Sequence, residues 1–225
     1  MTTSIALTLL FAGAAFAQQS SAQPSVTFST PDGFTLHADQ YGSGHRAVVL
    51  VHGGRFNKES WKKQAETLAQ NGFYVLATDF RGYGQTIPGT QSADWKHYPD
   101  VLSLVRYLRS HGATSVAIVG ASMGGDAAGD AVAQSKPGEI DKIVLLGADG
   151  GNPPARLTGD KLFILSRDDK SGDGPRLPGI FAAYQAAPAP KKMVILEGSA
   201  HAQFLFDTDQ GPRLMEEILK FLTKD

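Results

Sequence analysis

From about residue 25 onward the chain alternates two hydrophobic periods. Unbroken apolar runs occur at 47–51, 73–77, 116–119, 143–146, 162–165 and 193–196. A run of four or five apolar residues with no polar alternation suits a strand covered on both faces, as in a parallel sheet. Between the runs the spacing turns helical. Trp61, Ala65 and Leu68 share one face, as do Tyr98, Val101, Leu102, Val105 and Leu108, and near the end Leu214, Met215, Ile218, Leu219 and Leu222. Asn71-Gly72 and Gly112 supply stops and Pro212 a start. A small-residue stretch with Ala127, Ala128, Gly129 and Ala131 predicts a further helix just after Ser122. Two short strand-like pieces, 26–28 and 34–36, flank the turn Pro31-Asp32-Gly33. Alternating strands and helices predict an α/β fold: a mostly parallel central sheet with helices on both faces. The Gly/Pro-rich segment 148–160 is too short for a substantial lid domain.

Composition narrows the function classes. The 225 residues suit one domain with a sizeable core, and 42% apolar with 19% charged residues is a globular balance. Net charge is −1, with no Lys/Arg cluster interleaved with aromatics, so neither a nucleic-acid nor a membrane partner is expected. Cysteine is absent, which removes thiolate nucleophiles, disulfides and thiolate metal ligands. The apolar stretch 5–16 is too short to span a bilayer comfortably and ends in Ala15-Phe16-Ala17, followed by polar residues. It reads as a signal peptide over 1–17, although residues 1–4 carry no Lys or Arg. The expected mature domain, 18–225, is then secreted or periplasmic.

In an open parallel sheet, ligands sit beyond the carboxyl ends of the strands. His52, Asp79, Ser122, Asp149, Asp169 and His201 all fall just past such ends. Gly120-Ala121-Ser122-Met123-Gly124 reads G-x-S-x-G between a strand and a helix, the context in which the serine is presented on a sharp turn. A serine hydroxyl needs a base to become a nucleophile. Of the six histidines, His201, in the loop after the last strand, is the best placed; His97 and His111 read as solvated positions on or beside a helix. The base needs a carboxylate to hold its tautomer. Asp169 is preferred, with Asp168 and Asp149 as alternatives. The oxyanion of a tetrahedral intermediate needs donors; the N–H groups of Met123 and of Gly54, with Arg55 as the alternative to Gly54, are placed to supply them. His52 reads as structural. Nothing in the sequence asks for a cofactor or a metal: there is no H-E-x-x-H and no G-K-[ST]. The glycines of 119–125 lie in mid-chain rather than opening the first βαβ unit, which argues against a dinucleotide site.

Taken together, the His52-Gly53-Gly54 loop, Asp79-Phe80-Arg81-Gly82-Tyr83-Gly84, the Gly120–Gly124 elbow, a later acid and a late histidine resemble the α/β-hydrolase fold family, over residues 25–224. The order Ser, Asp, His is that family's order. The resemblance implies a serine hydrolase acting on a small-molecule carboxylic ester, similar to small lidless esterases and dienelactone-hydrolase-like proteins, with Asp79 and Arg81 bracing a loop. Two departures stand out. Gln85-Thr86 occupies the place where the family often has serine, and dienelactone-hydrolase-like proteins normally carry a cysteine nucleophile. Thioesterase, acyltransferase or perhydrolase chemistry on the same triad, and a non-catalytic binding protein of this fold, are the alternatives.

Overall fold

The computed structural model describes residues 24–86, 96–151 and 153–224; the expected signal segment lies outside them. In chain order the strands are β1 (Ser25–Ser29), β2 (Thr35–Tyr41), β3 (Arg46–Val51), β4 (Tyr74–Thr78), β5 (Ser115–Ala121), β6 (Lys142–Leu146), β7 (Asp160–Ser166), β8 (Lys170–Ser171), β9 (Gly174–Pro175) and β10 (Lys191–Leu196). The α-helices are α1 (Lys62–Gln70), α2 (Tyr98–Ser110), α3 (Met123–Gln134), α4 (Leu177–Ala186) and α5 (Gly211–Thr223). Eight strands form one sheet in the order β1-β2-β4-β3-β5-β6-β7-β10. The β1-β2 and β2-β4 pairs are antiparallel, and the rest are parallel. The expected mostly parallel sheet is therefore present. No described helix is long and apolar enough to cross a membrane.

The apolar runs work because strand side chains alternate between faces. Val49, Val51, Ile118, Ile143, Leu145 and Phe163 enter one core with Val101, Leu104, Val105 and Leu108 of α2 and the alanines of α3. Val48, Leu50, Val119, Val144, Leu146 and Ile164 enter the other with Trp61 and Leu68 on one side and Leu214, Ile218 and Leu222 of α5 on the other. Each such buried aliphatic side chain contributes roughly 1.5–3 kcal/mol, so two-sided burial fixes strand register strongly. From β3 the chain crosses to β4 on one side, then returns through α2 to β5 on the other. The winding reverses between β3 and β5, and a crevice opens beyond their carboxyl ends.

Asp79 and Arg81 brace the loop after β4. Asp79, fully buried, accepts the N–H groups of Lys58 (2.8 Å) and Gln85 (2.9 Å). Arg81 donates to Asp100 at the start of α2 and to Asp32 in the β1–β2 turn (2.5–3.1 Å), with its guanidinium over the Phe34 ring. The Thr86 hydroxyl accepts the His37 N–H (2.9 Å) and so ties the same loop to β2. One expectation is corrected. His97 is half-buried rather than solvated: its ring lies against Phe80 and Tyr83, because the Arg81–Asp100 pair draws the start of α2 onto the loop. Burial, reinforced by the Arg81 charge, lowers its pKa to about 4.

A histidine kept neutral by the fold binds its proton more readily once unfolded, so acid favours unfolding between its ordinary pKa of 6.5 and 4. The His97 contribution to stability is expected to be level above pH 6.5 and to fall as pH drops toward 4, and solvent screening of the half-buried ring keeps it well below the ~3 kcal/mol of the full shift. Chemical denaturation across this range should show a flatter pH slope for His97→Asn than for the wild type; parallel slopes would exclude His97 as the source.

Candidate active site

β5 delivers Ser122 into a backbone conformation with φ 50° and ψ −121°. For a residue with a Cβ this region costs on the order of 1–3 kcal/mol. The surroundings hold it there. The Ser122 N–H donates to the Leu146 carbonyl (2.9 Å), and the Ser122 carbonyl accepts from Gly125 and Asp126 (2.7 and 3.1 Å). The turn is tight enough that a Cβ on Gly120 would strike the Gly124 carbonyl, and one on Gly124 would strike the carbonyl of Val51. The G-x-S-x-G spacing thus reflects how closely α3 approaches both its own strand and β3.

The Ser122 Oγ lies 2.8 Å from His201 Nε2, and His201 Nδ1 lies 2.7 Å from Asp169 Oδ2. Three side chains from the ends of β5, β7 and β10 thus meet at one rim of the sheet. Asp169 is fully buried, whereas Asp168 beside it is exposed, as is Asp149. Of the three candidate acids, only Asp169 is in contact with the imidazole. The loop carrying His201 is anchored by Ser166 Oγ, which donates to the Ala200 carbonyl (2.5 Å), and by Ala202, which also takes a positive φ of 50°. A hydroxyl bonded to an imidazole, whose second nitrogen meets a buried carboxylate, can lose its proton to the ring as it attacks an electrophile.

The His52-Gly53-Gly54 loop closes the other side. His52 is buried; its Nε2 accepts the Phe80 N–H (3.2 Å), so Nδ1 carries the proton and donates to the Gly53 carbonyl (2.9 Å). Burial holds its pKa down, so it is a neutral brace. Gly53 lies against Ser122 and Gly54 against Met123 and Tyr83. Met123 is the first residue of α3, where an N–H has no helical carbonyl to claim it. Sequence reasoning missed two contributors. Gln203 accepts the Gly53 N–H at its Oε1 (2.7 Å) and donates from Nε2 to Ser60 (2.9 Å), tying the loop after β3 to the histidine segment. Arg176, beyond the β8–β9 hairpin, places Nε 3.5 Å from Asp169 Oδ1. Neither is foreshadowed by periodicity: Gln203 acts between loops distant in sequence, and Arg176 reaches Asp169 through the turn of the intervening β8–β9 hairpin.

Around Ser122 the surface forms a cleft of about 530 Å³, lined by Gly53, Gly54, Phe56, Met123, His201 and Phe204 among others. A second cavity of about 460 Å³ on the far side is lined by Gly147, Ala148, Pro175 and Ile180.

An open α/β sheet, its crevice at the point where the winding reverses, with a serine on a strand–turn–helix elbow, defines a class of fold. Residues 46–225 match the model of the alpha/beta hydrolase fold, and the chain belongs to that family. It is 35% identical over 126 residues to a non-heme haloperoxidase of Rhodococcus erythropolis, covering 56% of this chain and 44% of the relative. Among solved structures it is similar to a bromoperoxidase from Bacillus anthracis (TM-score 0.75, 17% identity, 89% of this chain and 100% of that one). An esterase from Exiguobacterium antarcticum is also similar (TM-score 0.71, 16% identity, 88% of this chain and 99% of that one). The chain spans about half the length of the curated relatives it matches.

If Gln203 fixes the loop, Gln203→Leu leaves a buried N–H unpaired and should cost about 1–3 kcal/mol. Thermal unfolding is expected to show Tm several degrees lower, with a smaller loss for Gln203→Glu, which keeps the acceptor for Gly53. An unchanged Tm in the leucine variant would remove Gln203 from this role.

Proposed function

We propose that the chain is a serine hydrolase that cleaves carboxylic esters of modest size through an acyl-enzyme. The observation that carries this reading is the continuous hydrogen-bonded line from Ser122 through His201 to Asp169, at 2.8 and 2.7 Å. Ser122 Oγ attacks the acyl carbon while His201 Nε2 takes its proton. Asp169 holds the Nδ1–H tautomer and stabilises the imidazolium. The Gly54 and Met123 N–H groups receive the oxyanion, each typically contributing roughly 3–4 kcal/mol to the transition state. The intermediate collapses, the ester C–O bond breaks, and His201 returns its proton to the departing alkoxide. Water, deprotonated by His201, then attacks the acyl-enzyme and releases the acid and the free serine.

The haloperoxidase relative favours one second reading. Hydrogen peroxide in place of water would attack the same acyl-enzyme and release a peracid, regenerating the Ser122 hydroxyl. The chemistry requires no group beyond those described. We also place the protein outside the cytoplasm after loss of residues 1–17.

A fluorophosphonate probe should label the wild type and leave Ser122→Ala unlabelled. On a panel of p-nitrophenyl esters, Ser122→Ala and His201→Ala should each lower kcat by at least about 10³-fold with unchanged Tm. Asp169→Asn should cost about 10⁴-fold, whereas Asp168→Asn should stay within about twofold. Near-wild-type turnover by Ser122→Ala would end the reading. Peroxide added to the assay should divert product to peracid only if the second reading holds. For export, the mature protein should begin at Gln18 by N-terminal sequencing; retention of Met1 in a cell-surface or periplasmic fraction would refute the cleavage.

A further inference from the structure

Charge is not evenly distributed about Ser122. The cleft that holds Gly54 and His201 is lined by Arg55, Lys170 and Arg176, with no Asp or Glu among its described lining residues. The cavity on the far side is lined by Asp126, Asp149 and Asp173. Arg176 lines both. It also differs from the molecule's other positioned arginines. Arg81 is bonded to Asp32 and Asp100, Arg109 to Asp141 and four carbonyl groups, Arg167 to Glu197, and Arg156 to the Ala133 carbonyl. Among the described residues the Arg176 side chain has no hydrogen-bond partner. Among the described residues its one ion-pair partner is Asp169 Oδ1, 3.5 Å from a buried Nε, while Asp169 Oδ2 is committed to His201. Its backbone N–H donates to the Asp169 carbonyl (2.9 Å), so the residue is held beside the site. A guanidinium offers five donors in a planar fork that matches a carboxylate. A guanidinium with open donors, held by its backbone in the cleft beside Ser122, is therefore suited to recognise an anion.

Building on the hydrolase reading, we propose that the substrate is an ester that itself carries a carboxylate. This carboxylate is bound by Arg176, assisted by Lys170 and Arg55, in the cleft beside Ser122. The opposite wall, where the Phe56 and Phe204 rings meet at 4.9 Å, takes the apolar part of the same half of the molecule. The acidic cavity repels the carboxylate, so the two signs of charge set which way round the ester lies.

Two substrate pairs locate the charge. Mono-p-nitrophenyl adipate against p-nitrophenyl hexanoate places it on the acyl half; 4-carboxyphenyl hexanoate against phenyl hexanoate places it on the alcohol half. In one pair the wild type should favour the anionic member by at least about tenfold in kcat/KM, and the preference should shrink with added salt. Arg176→Gln should lower that anionic-to-neutral ratio by about 10–100-fold, Arg176→Lys should recover part of it, and Lys170→Gln, on the exposed hairpin, should lower it by a few-fold. The ratio is the readout, because Arg176 also touches Asp169 and either arginine variant alters overall turnover. Binding is read separately by calorimetry on Ser122→Ala with monomethyl adipate, which carries the carboxylate on its acyl half, and with 4-acetoxybenzoate, which carries it on its alcohol half. Binding of either should be lost in Ser122→Ala combined with Arg176→Gln. No preference in either pair, or a ratio unmoved by Arg176→Gln, overturns the proposal while leaving the hydrolase reading in place. Failure of every ester and of fluorophosphonate labelling, with half-ester binding that depends on Arg176, overturns the hydrolase reading while the carboxylate site stands.

Discussion

The organisation of the site depends on one constraint: α3 runs so close to β3 and β5 that only residues without a Cβ fit where they cross. Gly120 and Gly124 satisfy it. With those contacts closed, the chain between them has no relaxed path, and Ser122 is forced to φ 50°. A strained residue persists only when its neighbours over-determine it. Here the Leu146 carbonyl fixes the serine N–H, and the first turn of α3 fixes its carbonyl. The same close approach sets Met123 against Gly54. The Ser122 hydroxyl and the N–H groups proposed to receive the oxyanion are therefore positioned by one packing contact and move together if it loosens.

The sheet supplies the rest of the precision. Ser122, Asp169 and His201 follow three strands of one parallel sheet, the buried β5 and β7 and the edge strand β10, so their relative positions inherit the rigidity of the core. Local ties then remove what freedom the loops retain: Ser166 to Ala200 on the histidine side, His52 to Phe80 and Gln203 to Gly53 on the opposite side. Gln203 matters because it joins the two sides directly, two residues from His201 and one hydrogen bond from the glycine loop.

Much of this was legible in the sequence because it follows from local rules. The apolar runs gave the parallel strands, the 3.6-residue spacing gave α1, α2 and α5, and the glycine pattern gave the elbow. Adjacency decided the acid only in part: Asp168 and Asp169 both follow β7, and alternation along the chain shows that one must face away without showing which. What escaped depends on tertiary contact. α4 lacks a polar face distinct enough to announce a helix, and the β8–β9 hairpin is two residues a side. His97 looks like a solvated helix-start residue until the Arg81–Asp100 pair pulls α2 over it. Arg176 carries no motif, and the role proposed for it rests on its unbonded donors.

Asp169 shows how the charges are balanced. A fully buried carboxylate without partners would cost several kcal/mol, enough to drive it out of the core or neutralise it. It has a cation-capable ring at 2.7 Å on one oxygen and a guanidinium at 3.5 Å on the other. The shorter, hydrogen-bonded contact dominates, so the carboxylate serves the imidazole first and Arg176 retains most of its donor capacity. Had Arg176 been drawn into a close bidentate pair, the acid would have been spent on the wrong partner and the guanidinium lost to the cleft. A separation just beyond hydrogen-bond length lets one buried charge hold the imidazole while leaving, at the edge of the same site, the cation proposed to take a ligand.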